Sequence, residues 1–263
     1  MSKRYFFIFF ALVLVKLLHA SCMSSGIWAF PETNKIDIDG FIIVEVYGTS
    51  QDLIPKLGND VQIHLKANDH CINLAIVEVI KGAHNISQVV FKVEQELEVG
   101  ASYYLVFEDT TQIAIRKYGV WKDAVWEAAK LAKTENKPLI IEHKSYPPKI
   151  EHEGNTFMLY GCGPSMYADF RTSIMDSSLM LRAQLTELNG TDTYVYIIPI
   201  DTAGIVSLGR GMCSGAFAFQ RSKKYRARFK IYDFTKTEYA YCEWIEFDSP
   251  VDYESNQFIR LVD

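Results

Sequence analysis

The sequence predicts an all-β protein made of two β-sandwich domains joined by a short amphipathic helix. Short segments that alternate apolar and polar residues fill both halves of the chain, as they do in sandwiches. A large apolar residue followed six residues later by a tyrosine at the start of a predicted strand occurs twice, with Tyr103 and with Tyr225. One segment with helical periodicity lies between the two halves.

Length and charge limit the protein class. The chain has 263 residues, 49% hydrophobic content and a formal net charge of −5. That length suits about two domains of ~100–150 residues each. The acidic balance argues against nucleic acid as the main partner, because nucleic acids recruit basic domains.

Residues 1–20 have the pattern of a secretory signal peptide. Lys3 and Arg4 precede an apolar run over 5–15, and Ala20 supplies the small residue of a cleavage site. The run is shorter than the ~20 residues of a membrane span. The sequence therefore predicts an exported protein, periplasmic, on the cell surface or extracellular, in which disulfides can form.

The sequence is compatible with two positions of signal-peptide cleavage. Cleavage near Ala20 releases a soluble protein. Cleavage before Cys22, with acylation of this cysteine, gives a lipid-anchored form, although His19 stands where a bacterial lipobox has leucine. Removing residues 1–20 takes away three basic residues and no acidic one, so the net charge becomes about −8.

Residues 29–118 are predicted to form the first sandwich domain, after an irregular lead-in over residues 21–30. Turn-forming segments separate strands that alternate as half-buried strands do. The expected strands are Phe41–Tyr47, 61–66, 72–79, 88–93 and 102–107.

The last of these strands opens with Leu97, Gly100 and Tyr103. In a sandwich, the chain crosses here from one sheet to the other. A tyrosine can then pack its ring in the core and return its hydroxyl to the backbone of the crossing, while the glycine eases the turn. Tyr225 follows Phe219 at the same spacing of six residues that separates Tyr103 from Leu97.

An internal duplication accounts for this repeated spacing. Pro31, Gly40-Phe41 and Tyr47-Gly48 precede the first tyrosine much as Pro148, Gly154, Phe157 and Tyr160-Gly161 precede the second. The offset is about 113 to 122 residues. In this pattern the sequence resembles the bacterial immunoglobulin-like and fibronectin-III-like modules of secreted and surface proteins. The resemblance covers both halves and implies tandem sandwich domains, and a shared fold does not by itself set the function. For an exported protein in which no catalytic motif is complete, we expect a structural, adhesive or protein-interaction role rather than an enzymatic one.

Residues 119–147 are predicted to be a helical linker. One face of the expected helix carries Val120, Trp121, Ala124, Val125, Ala128, Leu131 and Ala132. Asn136 and Pro138 stop it. The second sandwich follows over 148–250, with strands expected at 156–160, 179–185, 193–200, 214–219, 224–232 and 238–247, and the tail 251–263 has weak signals.

Cys162 and Cys213 are the predicted disulfide of the second domain, with Cys242 as the competing partner.

Cys213 also lies in Gly211-Met212-Cys213-Ser214-Gly215, the outline of a hydrolase nucleophile elbow. That elbow needs a following helix and a histidine late in the chain, whereas all six histidines precede Cys213. We therefore expect no catalytic residues.

Metal ligands and cofactors are not expected either. His64, His70 and Cys71 lie close in sequence but lack the spacing of a metal site. The alternative to a structural or interaction role is a periplasmic ligand- or metal-binding carrier.

Lys224, Arg226, Arg228 and Lys230 alternate along one predicted strand, so the four side chains share one face. This basic face is either a solvated surface that blocks edge aggregation or a contact for an anionic partner. The predicted partner is another envelope or extracellular protein or a glycan.

Overall fold

The computed structural model describes residues 25–68, 70–108, 115–116, 124–130, 147–160, 163–174, 176, 179–235 and 239–253, with backbone alone at 115–116 and 252–253. Within these ranges the chain is predominantly β, in two regions. No helix in them has both the length and the apolar character needed to cross a membrane. The predicted signal peptide over 1–20 and Cys22 lie outside the described residues.

Among the described residues, the first β region contains nine strands. They are β1 (Gly26–Phe30), β2 (Lys35–Asp37), β3 (Phe41–Tyr47), β4 (Ile63–Ala67), β5 (His70–Lys81), β6 (Ile86–Val93), β7 (Ser102–Phe107), β8 (Ile115–Arg116) and β9 (Val125–Ala129). A 3-10 helix, Gly48–Lys56, follows β3. The hydrogen-bonded order is β2-β9-β7-β4-β5-β6-β3-β1-β8.

Strand β5 divides this sheet into two layers, because its first residues pair with β4 and its later residues pair with β6. We call β8, β1, β3 and β6 with the later part of β5 the junction layer, and the remainder the distal layer. Ile42, Val44 and Phe91 of the junction layer share one core with Leu65 and Trp126 of the distal layer.

Strand β3 of the junction layer is buried on both faces, whereas Ile76, Val77 and Val79 in the later part of β5 are exposed. All residues of β3 from Ile42 to Tyr47 are buried, so the strand is almost continuously apolar. Because successive side chains point to opposite faces, Ile42 and Val44 enter the core of the first region. Ile43 and Glu45 point to the second region, and Ile43 belongs to its apolar cluster.

The described part of the second β region contains two sheets. Its strands are β10 (Ile150–Tyr160), β11 (Gly163–Thr172), β12 (Met180–Glu187), β13 (Thr193–Pro199), β14 (Ile205–Arg210), β15 (Lys224–Tyr232) and β16 (Ile245–Asp248). One sheet has the order β10-β11-β14 and the other β13-β12-β15-β16. Phe170 from the first sheet meets Phe229 from the second with ring centroids 5.0 Å apart. The two sheets thus share one buried core.

The expected tyrosine geometry is confirmed in both regions. The Glu98 amide donates to the Tyr103 hydroxyl at 3.0 Å, five residues upstream. The Gln220 amide donates to the Tyr225 hydroxyl at 2.9 Å, again five residues upstream. Both rings are buried, and each tyrosine is the second residue of its strand. The repeated sequence spacing therefore produces the same local structure twice.

The helix predicted over 119–147 is wrong where the structure describes it. Val125–Ala129 forms β9, which pairs with β7 and β2. Trp126 and Ala128 are buried and Glu127 is exposed, the alternation of a strand. The Trp126 indole donates to the Pro31 carbonyl at 2.8 Å, which ties β9 to the start of the region.

Three further expectations are wrong, and one of them is the strand expected over 238–247, which begins only at Ile245. Gly26–Phe30, within the supposed irregular lead-in, is the buried strand β1 and pairs with β3. The segment predicted as a strand over 214–219 is irregular, and Gly215 makes isolated bridges to His84 and Arg210. Of the tail, Pro250–Tyr253 forms a 3-10 helix, and residues 254–263 lie outside the described ranges.

Candidate functional site

The junction between the two β regions holds a buried polar network, which we define as Glu45, Gln88 and Tyr196. The side chains of all three are at least nine-tenths buried. Gln88 Nε2 donates to Glu45 Oε2 at 2.9 Å, and the Tyr196 hydroxyl donates to the same oxygen at 3.0 Å. A carboxyl group from β3 is therefore held by β6 of its own region and β13 of the other.

Gln88 also completes the edge of β13. Its Nε2 donates to the Ile197 carbonyl at 2.7 Å, and its Oε1 accepts from the Ile197 amide at 3.1 Å. A primary amide offers the donor and the acceptor that a neighbouring strand would offer. One side chain from the first region thus replaces a strand partner for the second region.

Other contacts fix the same junction. The guanidinium of Arg182 donates to Glu78 with Nη1–Oε2 at 2.7 Å and Nη2–Oε1 at 2.6 Å. This two-point bond lowers the pKa of Glu78 and raises that of Arg182. The Phe41 amide also donates to the Phe234 carbonyl at 2.8 Å.

A short backbone pairing closes the junction near Cys213. The His84 amide donates to the Gly215 carbonyl at 3.0 Å, and the Gly215 amide donates back at 2.8 Å. A Cβ at Gly215 would lie 2.1 Å from the Cβ of Arg210, so only glycine fits. Because this segment crosses to the first region instead of forming a helix, the strand–turn–helix geometry of a nucleophile elbow is not formed.

Burial changes the acid–base behaviour of the network. Desolvation raises the pKa of Glu45 from its ordinary 4.5 to about 7, against the opposing effect of the hydrogen bonds from Gln88 and Tyr196. The pKa of Tyr196 is also raised, first by burial and then by Glu45. Glu45 therefore changes charge near neutral pH inside a contact between two β regions.

A cleft of about 840 Å³, here called the junction cleft, opens beside the network. Trp28, Tyr167 and Tyr196 line it with aromatic rings, and Ile197 to Ile200 add apolar surface. Trp28 is stacked on Tyr47, with ring centroids 4.2 Å apart. The cleft is within the ~300–1,000 Å³ typical of small-molecule sites.

The four residues of the predicted basic face do share one side of β15, where they alternate with buried neighbours. They are also engaged within the fold. Arg226 lies 4.8 Å from the centroid of Trp244, Arg228 lies 4.6 Å from that of Tyr241, and Lys230 lies 5.3 Å from that of Tyr241. Lys224 Nζ is 3.4 Å from Asp248. A role in binding an anionic partner stays a prediction.

The cysteines are only partly described. Cys71 is an exposed free thiol and Cys242 a buried one. Cys213 is not among the free thiols. Cys162, its predicted partner, lies outside the described residues, so the pairing stays a prediction.

The histidines considered as metal ligands are apart from this site. His64 is buried and its Nδ1 is 3.6 Å from Glu108, whereas His70 and Cys71 are exposed on β5. Across the described ranges, no group of three or more His, Cys, Asp or Glu side chains could hold a metal ion.

Sequence reasoning missed the junction network. The signal for Glu45 was a single acid within the apolar run FIIVEVY, and that for Gln88 was an amide within ISQVVFKV. A polar residue in a strand buried on both faces needs a partner. The sequence did not reveal that partner, because Tyr196 lies 151 residues from Glu45.

Comparisons with known proteins give weak similarities. No protein-family model matches the chain, and no curated protein matches it at a significant level. Among solved structures, the chain is similar to pullulanase type I from Bacillus subtilis complexed with maltose, with 8% identity and a TM-score of 0.25 over 83% of this chain and 24% of that chain. The chain thus spans about a quarter of the length of the pullulanases it matches.

Fibronectin and immunoglobulin domain structures are also among these neighbours. The chicken CNTN1 FN1-FN3 domains show 8% identity and a TM-score of 0.23 over 86% of this chain and 65% of that chain. The Ig1-2 module of Drosophila receptor protein tyrosine phosphatase DLAR shows 10% identity and a TM-score of 0.24 over 84% of this chain and 97% of that chain. Similarities at this level assign neither a family nor an activity to the chain.

Proposed function

We propose that this chain is an exported, non-catalytic protein of two immunoglobulin-like sandwich domains that acts as a structural, adhesive or protein-interaction module. Two facing layers in each region and the two matching tyrosine bonds support the domain assignment. The signal-peptide pattern over residues 1–20 supports export to the cell envelope or beyond.

The main support for this proposal is the fixed junction between the two β regions. A module that presents surfaces of two domains to one partner gains affinity when their relative arrangement does not have to be ordered on binding. Gln88 and Glu45 bind β13 from the first region, and Arg182 binds Glu78 from the second. These contacts support a rigid two-domain unit.

The partner proposed is another envelope or extracellular protein or a glycan. The basic face is the candidate contact, and Lys224 is its most exposed member. We expect Lys224→Glu to weaken a salt-sensitive interaction without unfolding the protein, because this side chain lies outside the arginine stacks. Asp248→Asn, which frees Lys224 from its ion pair, should leave that interaction intact or strengthen it.

The export proposal is tested by fractionating the native host and measuring the intact mass of the protein. Cleavage near Ala20 and recovery outside the cytoplasm are expected. Cleavage before Cys22 with added acyl chains would make the protein membrane-anchored but still exported. Full-length protein in the cytoplasm would overturn the proposal.

A second candidate function is that of a carrier for a small ligand. The junction cleft favours it, because its size and its aromatic and apolar lining are those of ligand sites. Native mass spectrometry of protein from its own host tests this role. A stoichiometric adduct would support it, and a metal adduct would identify the metal-carrier form instead.

A further inference from the structure

We infer that the junction cleft binds an organic primary ammonium ion through Glu45, with the apolar body of the ligand held by Trp28, Tyr167 and Tyr196. This inference rests on the carrier function proposed above. It adds the chemical class of the ligand, which follows from the charge of the cleft, one incompletely paired carboxylate and the aromatic lining.

The charge of the cleft selects a cation. Among the described residues that line it, Glu32, Glu45 and Asp201 carry carboxylates, and none is a lysine, arginine or histidine. Glu32 and Asp201 are exposed at the rim, whereas Glu45 is buried deep in the junction. Like charges in a cleft concentrate counter-ions of the opposite sign. An anionic ligand would be repelled by carboxylates both at the rim of the cleft and at Glu45 inside it.

Glu45 supplies a specific acceptor. Its side chain is 6% exposed, and both of its hydrogen bonds within the described ranges end on Oε2. Oε1 accepts no hydrogen bond from the described residues, and Glu45 is among the residues that line the cleft. An N–H donor at this oxygen would form a charge-assisted bond in a poorly hydrated site.

The aromatic lining suits the rest of the cation. Positively charged groups are attracted to the faces of Trp and Tyr rings. Trp28 lies opposite Glu45 in the β1–β3 register and is held by its stack on Tyr47. A primary ammonium has N–H donors for Glu45, whereas a quaternary ammonium has none. The lining therefore favours an ammonium ion that has N–H donors, of which a primary ammonium has three, on an apolar body.

Binding is expected to depend on the protonation of Glu45. Facing this group are Trp28 from β1, Gln88 from β6 and Tyr196 from β13, and the carboxylates of Glu32 and Asp201 line the same cleft. The pKa of free Glu45 is about 7. An ammonium ion prefers the carboxylate, so affinity should rise with pH up to about 7 and level off above it. Below 7, the loss should approach tenfold for each pH unit.

The test uses isothermal titration calorimetry of the whole mature protein at pH 8 with three probes of similar size: phenethylamine, 2-phenylethanol and 3-phenylpropanoate. We expect phenethylamine to bind at least about tenfold more tightly than the neutral alcohol, and the anion not to bind. At pH 6 the advantage of the amine should shrink, with proton release on binding.

Substitutions distinguish a specific loss of amine binding from a general loss of folding. Glu45→Gln keeps the shape of the side chain and should remove the advantage of the amine while 2-phenylethanol still binds. Asp201→Asn at the rim keeps an acceptor for the Ala203 and Ile205 amides and should weaken the amine by a few fold. Asp248→Asn, outside the cleft, is the matched control and should change nothing.

Two results would overturn the inference in different ways. Equal affinity for the amine and the alcohol would refute the cationic class but leave the carrier function standing. Absence of binding by all three probes to folded protein would refute both the ligand class and the carrier function.

Discussion

The Tyr196 hydroxyl donates a 3.0 Å hydrogen bond to Glu45 across the junction between the two β regions. The same carboxylate oxygen accepts from Gln88, whose amide also pairs with the Ile197 backbone. One buried acid is thus linked to both regions, and its hydrogen bonds depend on the regions staying together.

Tyr196→Phe should lower the free energy of unfolding by about 1–2 kcal/mol, because it removes one of the two donors to a buried carboxyl group. Urea denaturation at pH 7 measures this change. Tyr194→Phe is the matched control, since Tyr194 is on the same strand with 53% of its surface exposed. If the control costs as much as Tyr196→Phe, the hydrogen bond to Glu45 does not stabilise the fold.

Stability should fall as pH rises through neutrality because of Glu45. Its pKa is about 7 in the folded protein and near 4.5 when solvated, so the folded state holds the proton more tightly. The contribution is fully present below pH 4.5 and is lost as pH rises through 7. It amounts to roughly 3 kcal/mol. Urea denaturation between pH 5 and pH 8 measures it, and Glu45→Gln should flatten the profile. A wild-type slope that survives this substitution would assign the effect to other groups.

The two tyrosines at the strand entrances should make similar contributions. Tyr103→Phe and Tyr225→Phe each remove one hydroxyl that accepts from a backbone amide, at 3.0 Å and 2.9 Å respectively. Each substitution should cost about 1 kcal/mol in thermal unfolding, because a part-buried amide loses its partner. Tyr104→Phe on the exposed side of β7 is the control. A large cost at one site with none at the other would contradict the equivalence of the two entrances.

The predicted Cys162–Cys213 disulfide can be tested by non-additivity. Cys162→Ala, Cys213→Ala and the double variant should each lose about 3 kcal/mol, because any of them opens the same bond. Unfolding under oxidising conditions measures the loss, with the exposed Cys71→Ala as the control. Additive effects of the two single variants would show that these cysteines do not pair.

Strand positions were predictable where one face is buried and the other solvated. The bounds of β7, Ser102–Phe107, are those expected from sequence, because Tyr103 and Leu105 alternate with exposed neighbours. Strand β1 was missed because its burial on both faces removes that alternation.

The helix prediction for residues 119–147 was wrong for a different reason. The segment around Trp126 has apolar residues that fit both helical and strand periodicity. Pairing of Val125–Ala129 with β7 and β2 decides the outcome, and such distant partners are not encoded in the local pattern. The junction network was out of reach for the same reason, since Glu45 and Tyr196 come from different regions.

Amide hydrogen exchange at Ile197 measures whether the two β regions form one fixed unit in solution. Ile197 lies on the edge strand β13, and its amide is bonded to the Gln88 side chain of the first region. We predict much slower exchange at Ile197 than at Val195, whose amide points to the same side of the strand. Gln88→Ala should accelerate Ile197 alone. Exchange at Ile197 as fast as at Val195 in the wild-type protein would show that the junction is open in solution.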